Sequence, residues 1–400
     1  MKFPKIRFKD NTSEWQTSRL NEWLLPSRKK NVNLLYDKND VLSVSGEFGV
    51  VNQIKFHGKS FAGASVKNYG VVDKGNIVYT KSPLRKQPYG IIKSNKGQAG
   101  IVSTLYAIYN SVDTIYPDFI EEYFNNDKRL NDYLRPLVRK GAKNDMKVSS
   151  DGALEGLVTF PEKDEQIQIT EFLAKMSKLI ISLKNKNECL IKLKQSMLLM
   201  MFPQEGESLP KVRFKGFNEE WKYVQLGDLF KERNESNING EMLSVTMSQG
   251  IIKASENGRF DNSNSDKSKY KVVCIDDIAY NSMRMWQGAS GCSKYNGIVS
   301  PAYTVLIPEK NVDSLFFSYL FKTDSSLKLF KLNSQGLTSD NWNLKYQTLS
   351  KIKVFYPTNI SEQQQIAAYF VNIDQQISLQ TQRLEKLKQI KSACLDKMFV

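Results

Sequence analysis

The sequence predicts an α/β (α+β) protein: two similar domains separated by two long antiparallel coiled-coil helices, with an internal pseudo-two-fold repeat. Three observations predict this. Paired segments recur at a period of about 200 residues, too long for a solenoid. The recurring segments are short, β-branched and aromatic, as strands are. Each copy then ends in apolar residues alternating four and three apart, the seam of a coiled coil. The expected boundaries are 1–160 for the first domain, 161–203 for the first helix, 204–357 for the second domain and 358–400 for the second helix.

The first copy opens Lys5-Ile6-Arg7-Phe8-Lys9, with Trp15 and Leu20 after it; the second opens Lys211-Val212-Arg213-Phe214-Lys215, with Trp221 and Leu226 at the same distances. Leu42-Ser43-Val44-Ser45 answers Leu243-Ser244-Val245-Thr246, followed by Gly49-Val50-Val51 and Gly250-Ile251-Ile252. Tyr69, Val71, Val72, Ile77 and Tyr79 answer Tyr270, Val272, Val273, Ile278 and Tyr280, and Gly100-Ile101-Val102-Ser103 answers Gly297-Ile298-Val299-Ser300. Helix-like segments follow at 118–134 and 313–332. A strand running into proline closes each copy, at Pro161 and Pro357.

Beyond the prolines, Asp164 and Ser361 are the expected helix caps, Ser361 with Gln364 fitting a capping box. The first seam runs Ile169, Leu173, Met176, Ile180, Leu183, Asn187, Leu190, Lys194, Met197, Met201. The second runs Ile366, Phe370, Ile373, Ile377, Gln380, Leu384, Leu387, Lys391, Cys394, Met398. Each helix should extend roughly 57 Å at 1.5 Å per residue. The polar seam positions weaken packing but select register and partner.

Framework repeats while loops do not. After Tyr79 stand Lys81, Arg85, Lys86 and Gln87; after Tyr280 stand Asn281, Arg284, Trp286 and Gln287. A second divergent loop carries Lys140, Lys143, Asn144 and Lys147 in one copy and Gln335, Thr338, Ser339 and Asn341 in the other. Arginine pairs with guanine, and glutamine or asparagine with adenine, in the major groove. These residues are therefore the candidate DNA contacts. The formal net charge of +15 suits a polyanionic partner.

Chemistry of other kinds finds no purchase. The cysteines, Cys189, Cys274, Cys292 and Cys394, are scattered and unpaired in spacing, and a single histidine, His57, excludes His-based metal sites. Gly58-Lys59-Ser60 ends like a phosphate loop, but Gln53 stands where its first glycine belongs. Pro117-Asp118 with Glu121-Glu122 is similar to a nuclease carboxylate cluster without its second acid and lysine. No methyltransferase motif is present. Neither a signal-peptide core nor a long apolar run is found, and the expected location is the cytoplasm.

This layout resembles the specificity (S) subunits of type I restriction–modification systems. The resemblance rests on the paired openings and on Asn343-Leu344, Leu349, Ile352, Val354 and Pro357, followed by Glu362-Gln363-Gln364-Gln365-Ile366. Pro161 and Glu165-Gln166 repeat the junction, although 146–157 lacks the Asn-Leu spacing. The resemblance implies a non-catalytic chain whose two target-recognition domains each read one half of a split, asymmetric DNA site. Half-sites on one face of B-DNA lie about 34 Å apart, a distance a stiff strut can set. Two modification subunits carrying S-adenosylmethionine and two restriction subunits using ATP and magnesium would be its partners, so every cofactor would belong to them. The alternatives are the recognition part of a combined methyltransferase–nuclease, and a basic coiled-coil structural protein.

Overall fold

The computed structural model describes residues 3–81, 88–140, 146–257, 266–338 and 341–400. The chain divides into two compact units, Met1–Lys184 with Gln382–Val400, and Asn185–Thr381. Both cuts fall inside long helices, Lys163–Met201 and Ile360–Lys397. Each unit therefore holds one α/β domain, the start of the helix that follows it and the end of the other helix.

In the first unit, a four-stranded antiparallel sheet runs in the order Leu24–Pro26, Tyr106–Ser111, Ile77–Thr80, Ile92–Ser94. A hairpin, Leu42–Ser45 with Gly49–Asn52, and a pair, Gly70–Val72 with Gly100–Val102, complete it. The opening strand Gln16–Arg19 zips onto the closing strand Leu157–Phe160, Gln16 facing Phe160. Alternating β-branched and aromatic side chains fill the core, with Trp15, Tyr79, Tyr109, Phe119 and Phe160 all fully buried.

The second unit repeats this plan. Its sheet runs Phe230–Glu232, Tyr303–Pro308, Ile278–Asn281, Ser290–Cys292, and its hairpin is Leu243–Thr246 with Gly250–Lys253. Lys222–Gln225 zips onto Lys353–Tyr356. Even the isolated bridges recur: Val41 pairs parallel with Ile101, and Met242 with Ile298.

The segments expected as single helices are each two. Pro117–Tyr123 stops before Asp127–Leu134, because the Asn126 side chain caps the second by accepting the Arg129 amide at 2.9 Å. Ser314–Leu320 and Asp324–Asn333 are separated likewise by Thr323, whose hydroxyl accepts the Ser326 amide. The expected caps also move. The long helices begin at Lys163 and Ile360, so Asp164 and Ser361 lie inside the first turns. Asn359 caps the second helix, its oxygen accepting the Ser361 amide at 3.0 Å; Ser361 is a donor there, and the capping box does not form.

The two long helices pack together. In the first unit Ile169, Leu173 and Met176 share a core with Cys394, Met398 and half-buried Leu387, and Lys391 Nζ donates to Ser177 Oγ at 2.7 Å. In the second unit Met201 and Met197 share a core with Ile366 and Phe370, while Lys194 Nζ meets Asp374 at 2.6 Å. The start of one helix thus meets the end of the other in each unit, which is antiparallel pairing. Ile373 and Leu384 are buried, whereas Ile180, Leu183, Leu190 and Ile377 are half-buried, as two helices without a third must leave their seam. Among the polar positions, Asn187 donates to Thr381 Oγ1 at 3.2 Å, but the Asn187 and Gln380 side-chain oxygens find no partner among the described residues.

Candidate nucleic-acid interface

A clamp precedes each set of divergent loops. The Arg7 guanidinium donates twice to Glu165, both at 2.7 Å, and Trp15 Nε1 donates to the same carboxylate at 3.2 Å. In the second copy Arg213 donates twice to Glu362 at 2.8 Å, with Trp221 Nε1 at 3.4 Å. The next residue closes the lock. Gln166, fully buried, accepts the Tyr116 amide at 2.9 Å and donates to the Pro161 carbonyl at 2.9 Å; Gln363 does the same with Asp313 and Pro357, at 2.8 Å each. A buried carboxylate is tolerable only when such donors satisfy it. The repeated opening and the Glu-Gln junction are thus two sides of one joint, holding each domain to its helix. The sequence displayed both halves of the joint but not that they meet.

In the second unit, Ile278–Asn281 delivers the chain into the first divergent loop. Asn281 Oδ1 accepts the Met283 amide at 3.0 Å, and a short 3-10 turn, Met285–Gln287, ends at Gly288 with φ +81°. Met285 is buried and anchors the turn, which leaves Arg284 and Trp286 half-exposed and Gln287 exposed. Trp286 Nε1 donates to the Met283 carbonyl at 3.2 Å. Asn281 therefore commits its oxygen to turn formation, while Arg284 and Gln287 form no side-chain hydrogen bond among the described residues.

The second divergent loop lies alongside. Gln335 and Asn343 form a bridge, and the Leu344 amide donates to the Ser282 carbonyl at 2.8 Å. The Asn341 amide donates to the Thr338 carbonyl at 3.0 Å. The Trp286 ring meets Trp342 edge-on, centroids 5.2 Å apart, and Lys331 Nζ stands 5.7 Å from the Trp342 centroid. Gln335, Thr338 and Asn341 stay exposed, and Ser339 lies outside the described residues. Two loops more than 40 residues apart in sequence thus form one surface holding a free guanidinium, several amides and two indoles. Sequence reasoning missed Trp342 and Lys331; a tryptophan inside a polar, divergent loop was the available signal.

In the first unit, Lys81 follows the strand Ile77–Thr80 and is half-buried; desolvation, then repulsion from Lys30, lowers its pKa. Arg85, Lys86 and Gln87 lie outside the described residues, as do Lys143 and Asn144. The loop is closed where it can be seen: the Thr80 amide donates to the Ile91 carbonyl at 3.0 Å, and Tyr79 OH to the Tyr89 carbonyl at 2.7 Å. Gly90, at φ +87°, could not carry a Cβ, which would lie 2.0 Å from the Thr80 oxygen. Lys140 and Lys147 fall on the strands Arg139–Lys140 and Met146–Lys147, which pair antiparallel.

The two motif-like stretches are structural. Gly58, left-handed at φ +76°, ends the helix Gln53–His57, whereas a phosphate loop begins one. Glu121 is buried against Lys93 at 3.4 Å, Lys96 at 3.1 Å and Ser94 Oγ at 2.8 Å; attraction to the two lysines and the hydroxyl's hydrogen bond hold its pKa low against desolvation, the largest influence. No group of three or more His, Cys, Asp or Glu side chains among the described residues is placed to hold a metal. No helix among them is long and apolar enough to cross a membrane.

Residues 218–389 match the family model of the type I restriction modification DNA specificity domain. No curated protein matches the sequence. Among solved structures, the chain is similar to the type I restriction-modification system S subunit from M. genitalium, with 14% identity, 100% of this chain and 99% of that chain covered, and a TM-score of 0.57. It is also similar to the HsdS subunit from Thermoanaerobacter tengcongensis, with 17% identity, 97% of each chain covered and a TM-score of 0.47. A third likeness is to a chain from a study of complex assembly and conformational transition of the type I R-M system, with 16% identity, 98% of each chain covered and a TM-score of 0.49. Of these, the M. genitalium likeness carries the fold. The family match lies on the second copy, and the first repeats that copy strand for strand and clamp for clamp. Residues 218–389 therefore hold a type I restriction modification DNA specificity domain, and the first copy repeats the fold of that domain.

Proposed function

We propose that each α/β domain reads one half of a bipartite, asymmetric DNA site. The second domain would do so through Arg284, Trp286, Gln287 and the 335–341 loop, the first through the loops at 81–90 and 139–147. The observation that carries this reading is the contrast between a duplicated framework and unlike loops. A fold kept twice with its surface changed twice suits two different targets. Arg284 is the guanine reader, while Gln287, Gln335 and Asn341 offer the paired donor and acceptor that adenine requires. The lysine surplus holds phosphates and sets register.

In this reading the chain itself catalyses nothing. Two modification subunits bind S-adenosylmethionine and methylate adenine, and two restriction subunits use ATP and magnesium to move and cut DNA. The long helices are their dock and set the unread gap between half-sites. Exposed Leu179 and Ile181 in the first unit, and Ile191, Leu193 and Leu199 in the second, support a docking role, since apolar side chains on the open face of a helix suit further helices. The protein acts among soluble cytoplasmic partners.

Single-molecule sequencing of methylated adenines tests the proposal. Exchanging residues 1–160 for another first domain should change one half of the methylated site and keep the other. A change in both halves, or in neither, rejects one domain per half-site. Methylation by the purified chain without partners would reject a non-catalytic role.

A further inference from the structure

Outside the divergent loops themselves, the first unit holds a cluster of rings in open solvent. Phe48, at the tip of the hairpin Leu42–Ser45 with Gly49–Asn52, packs on Phe56 at 5.2 Å between centroids. Phe56 packs on His57 at 4.7 Å, and His57 on Phe61 at 5.4 Å. Phe48, Phe56 and Phe61 remain 59%, 43% and 58% exposed. Phenylalanine normally gains by burial, so an ordered cluster left outside marks a contact surface.

The cluster is built by directional bonds. Asn52 Oδ1 accepts the Ile54 and Lys55 amides, both at 3.1 Å, and starts the short helix Gln53–His57. Gln53 Oε1 accepts the Phe61 amide at 2.8 Å while Gln53 Nε2 donates to Ser43 Oγ at 2.8 Å, which ties the segment after Gly58 back to the hairpin. Two cations border the rings: Lys55 and Lys59 are exposed without an ion pair among the described residues, Lys59 standing 5.2 Å from the Phe61 centroid, while the turn Lys38–Asp40 that packs on the same short helix adds both signs of charge.

Two further features choose the occupant. Two of these rings have no counterpart among the described residues of the second unit. Its hairpin has the same register, Leu243 facing Lys253 as Leu42 faces Asn52, and both tips end in a glycine of positive φ, Gly49 and Gly250. Gln249 therefore stands where Phe48 does, and by the same count Asn257 stands where Phe56 does. A partner docking alike on both halves would require the rings twice; a half-site read by one domain requires them once. The hairpin also neighbours the candidate recognition loop: Gly49–Asn52 packs on Ile92–Ser94, the strand that leaves that loop.

We infer that Phe48, Phe56 and Phe61 form a second DNA-contacting surface of the first domain, wedging against a base step of its half-site while Lys55 and Lys59 hold the flanking phosphates. This rests on the reading that the first domain reads one half-site.

The test uses the full chain with its modification partner on a duplex carrying the genomically methylated site, with 2-aminopurine placed at successive steps. Wild-type protein should raise the fluorescence at a step of the first domain's half-site only. Phe56→Ala with Phe61→Ala should abolish the rise and weaken binding at least about tenfold. Circular dichroism and partner binding should not change, and tryptophan at both positions should restore the signal. Lys55→Gln with Lys59→Gln should flatten the log-affinity against log-salt slope by about 2. Where the double alanine variant does not fold, Phe61→Ala alone reads the same fluorescence. Unchanged affinity and fluorescence overturn the wedge and leave half-site reading intact. Loss of the partner subunit with DNA binding kept overturns it in favour of protein docking. The domain exchange described above fails separately if half-site reading is wrong.

Discussion

The two units share a skeleton and differ at their surfaces. In the second, the loops around Trp286 and Trp342 lean on each other and leave Arg284 and several amides open. In the first, the corresponding region holds Lys81 and the paired strands Arg139–Lys140 and Met146–Lys147, and an aromatic cluster stands nearby. The clamps and strand registers, by contrast, are nearly superimposable in their partners: Arg7 with Glu165 and Trp15, Arg213 with Glu362 and Trp221. What must hold a domain to its helix has one solution, used twice. The surfaces proposed to meet DNA differ, as two different half-sites would require.

The comparison is broken most severely at the clamps. Glu165→Ala should leave the half-buried Arg7 guanidinium and the buried Trp15 Nε1 without their acceptor and destabilise by about 3 kcal/mol. Hydrogen exchange should show the loss in the first unit, and Glu362→Ala should produce it in the second. Equal loss of protection in both units from either variant would contradict two self-contained clamps. Arg284→Ala should cost about 1–3 kcal/mol of binding and relax specificity only within the half-site of the second domain, measured by titration against single-base variants of the site.

Smaller effects sharpen the comparison within the helix pair. Replacing Asn187 and Gln380 with leucine removes two buried oxygens that lack partners, and should raise stability by about 1 kcal/mol in thermal denaturation. A lower melting temperature would mean that those oxygens are satisfied. The smallest effect concerns pH. Burial, then repulsion from Lys194, lowers the Lys322 pKa to about 8 against the attraction of Asp374. Between about 8 and 10.5 the unfolded chain holds this proton and the folded chain does not, so stability should rise with pH across that window. Lys322→Met should flatten the rise, and an unchanged slope would place its origin elsewhere. The first unit has Asn125 at the matching place, so no such component arises from that position there.

How much was legible follows from range. The repeat, the strands and the seam were readable because each is a short-range pattern imposed by a period of two or of three and a half. The break at Asn126 was not, because a side-chain cap inside an apolar stretch competes with helix continuation by a margin that periodicity does not display. The shift of the cap from Ser361 to Asn359 is of the same kind: neighbouring polar residues cap almost equally well, and the backbone direction leaving Pro357 selects between them. The ring cluster escaped because Gly58-Lys59-Ser60 drew attention as a phosphate loop, whereas its flanking phenylalanines acquire meaning only from their exposure.

The amino-acid order by itself determined that the chain is a doubled α/β scaffold with two paired helices, a basic surface and unlike loops, since propensity, periodicity and charge are properties of neighbours along the chain. Tertiary structure alone decided that Arg7 finds Glu165 across 158 positions, that Trp286 meets Trp342, and that three phenylalanines stay in water. Those outcomes depend on which surfaces the compact fold brings together and on which it leaves without a neighbour, and neither quantity is carried by any local stretch of sequence.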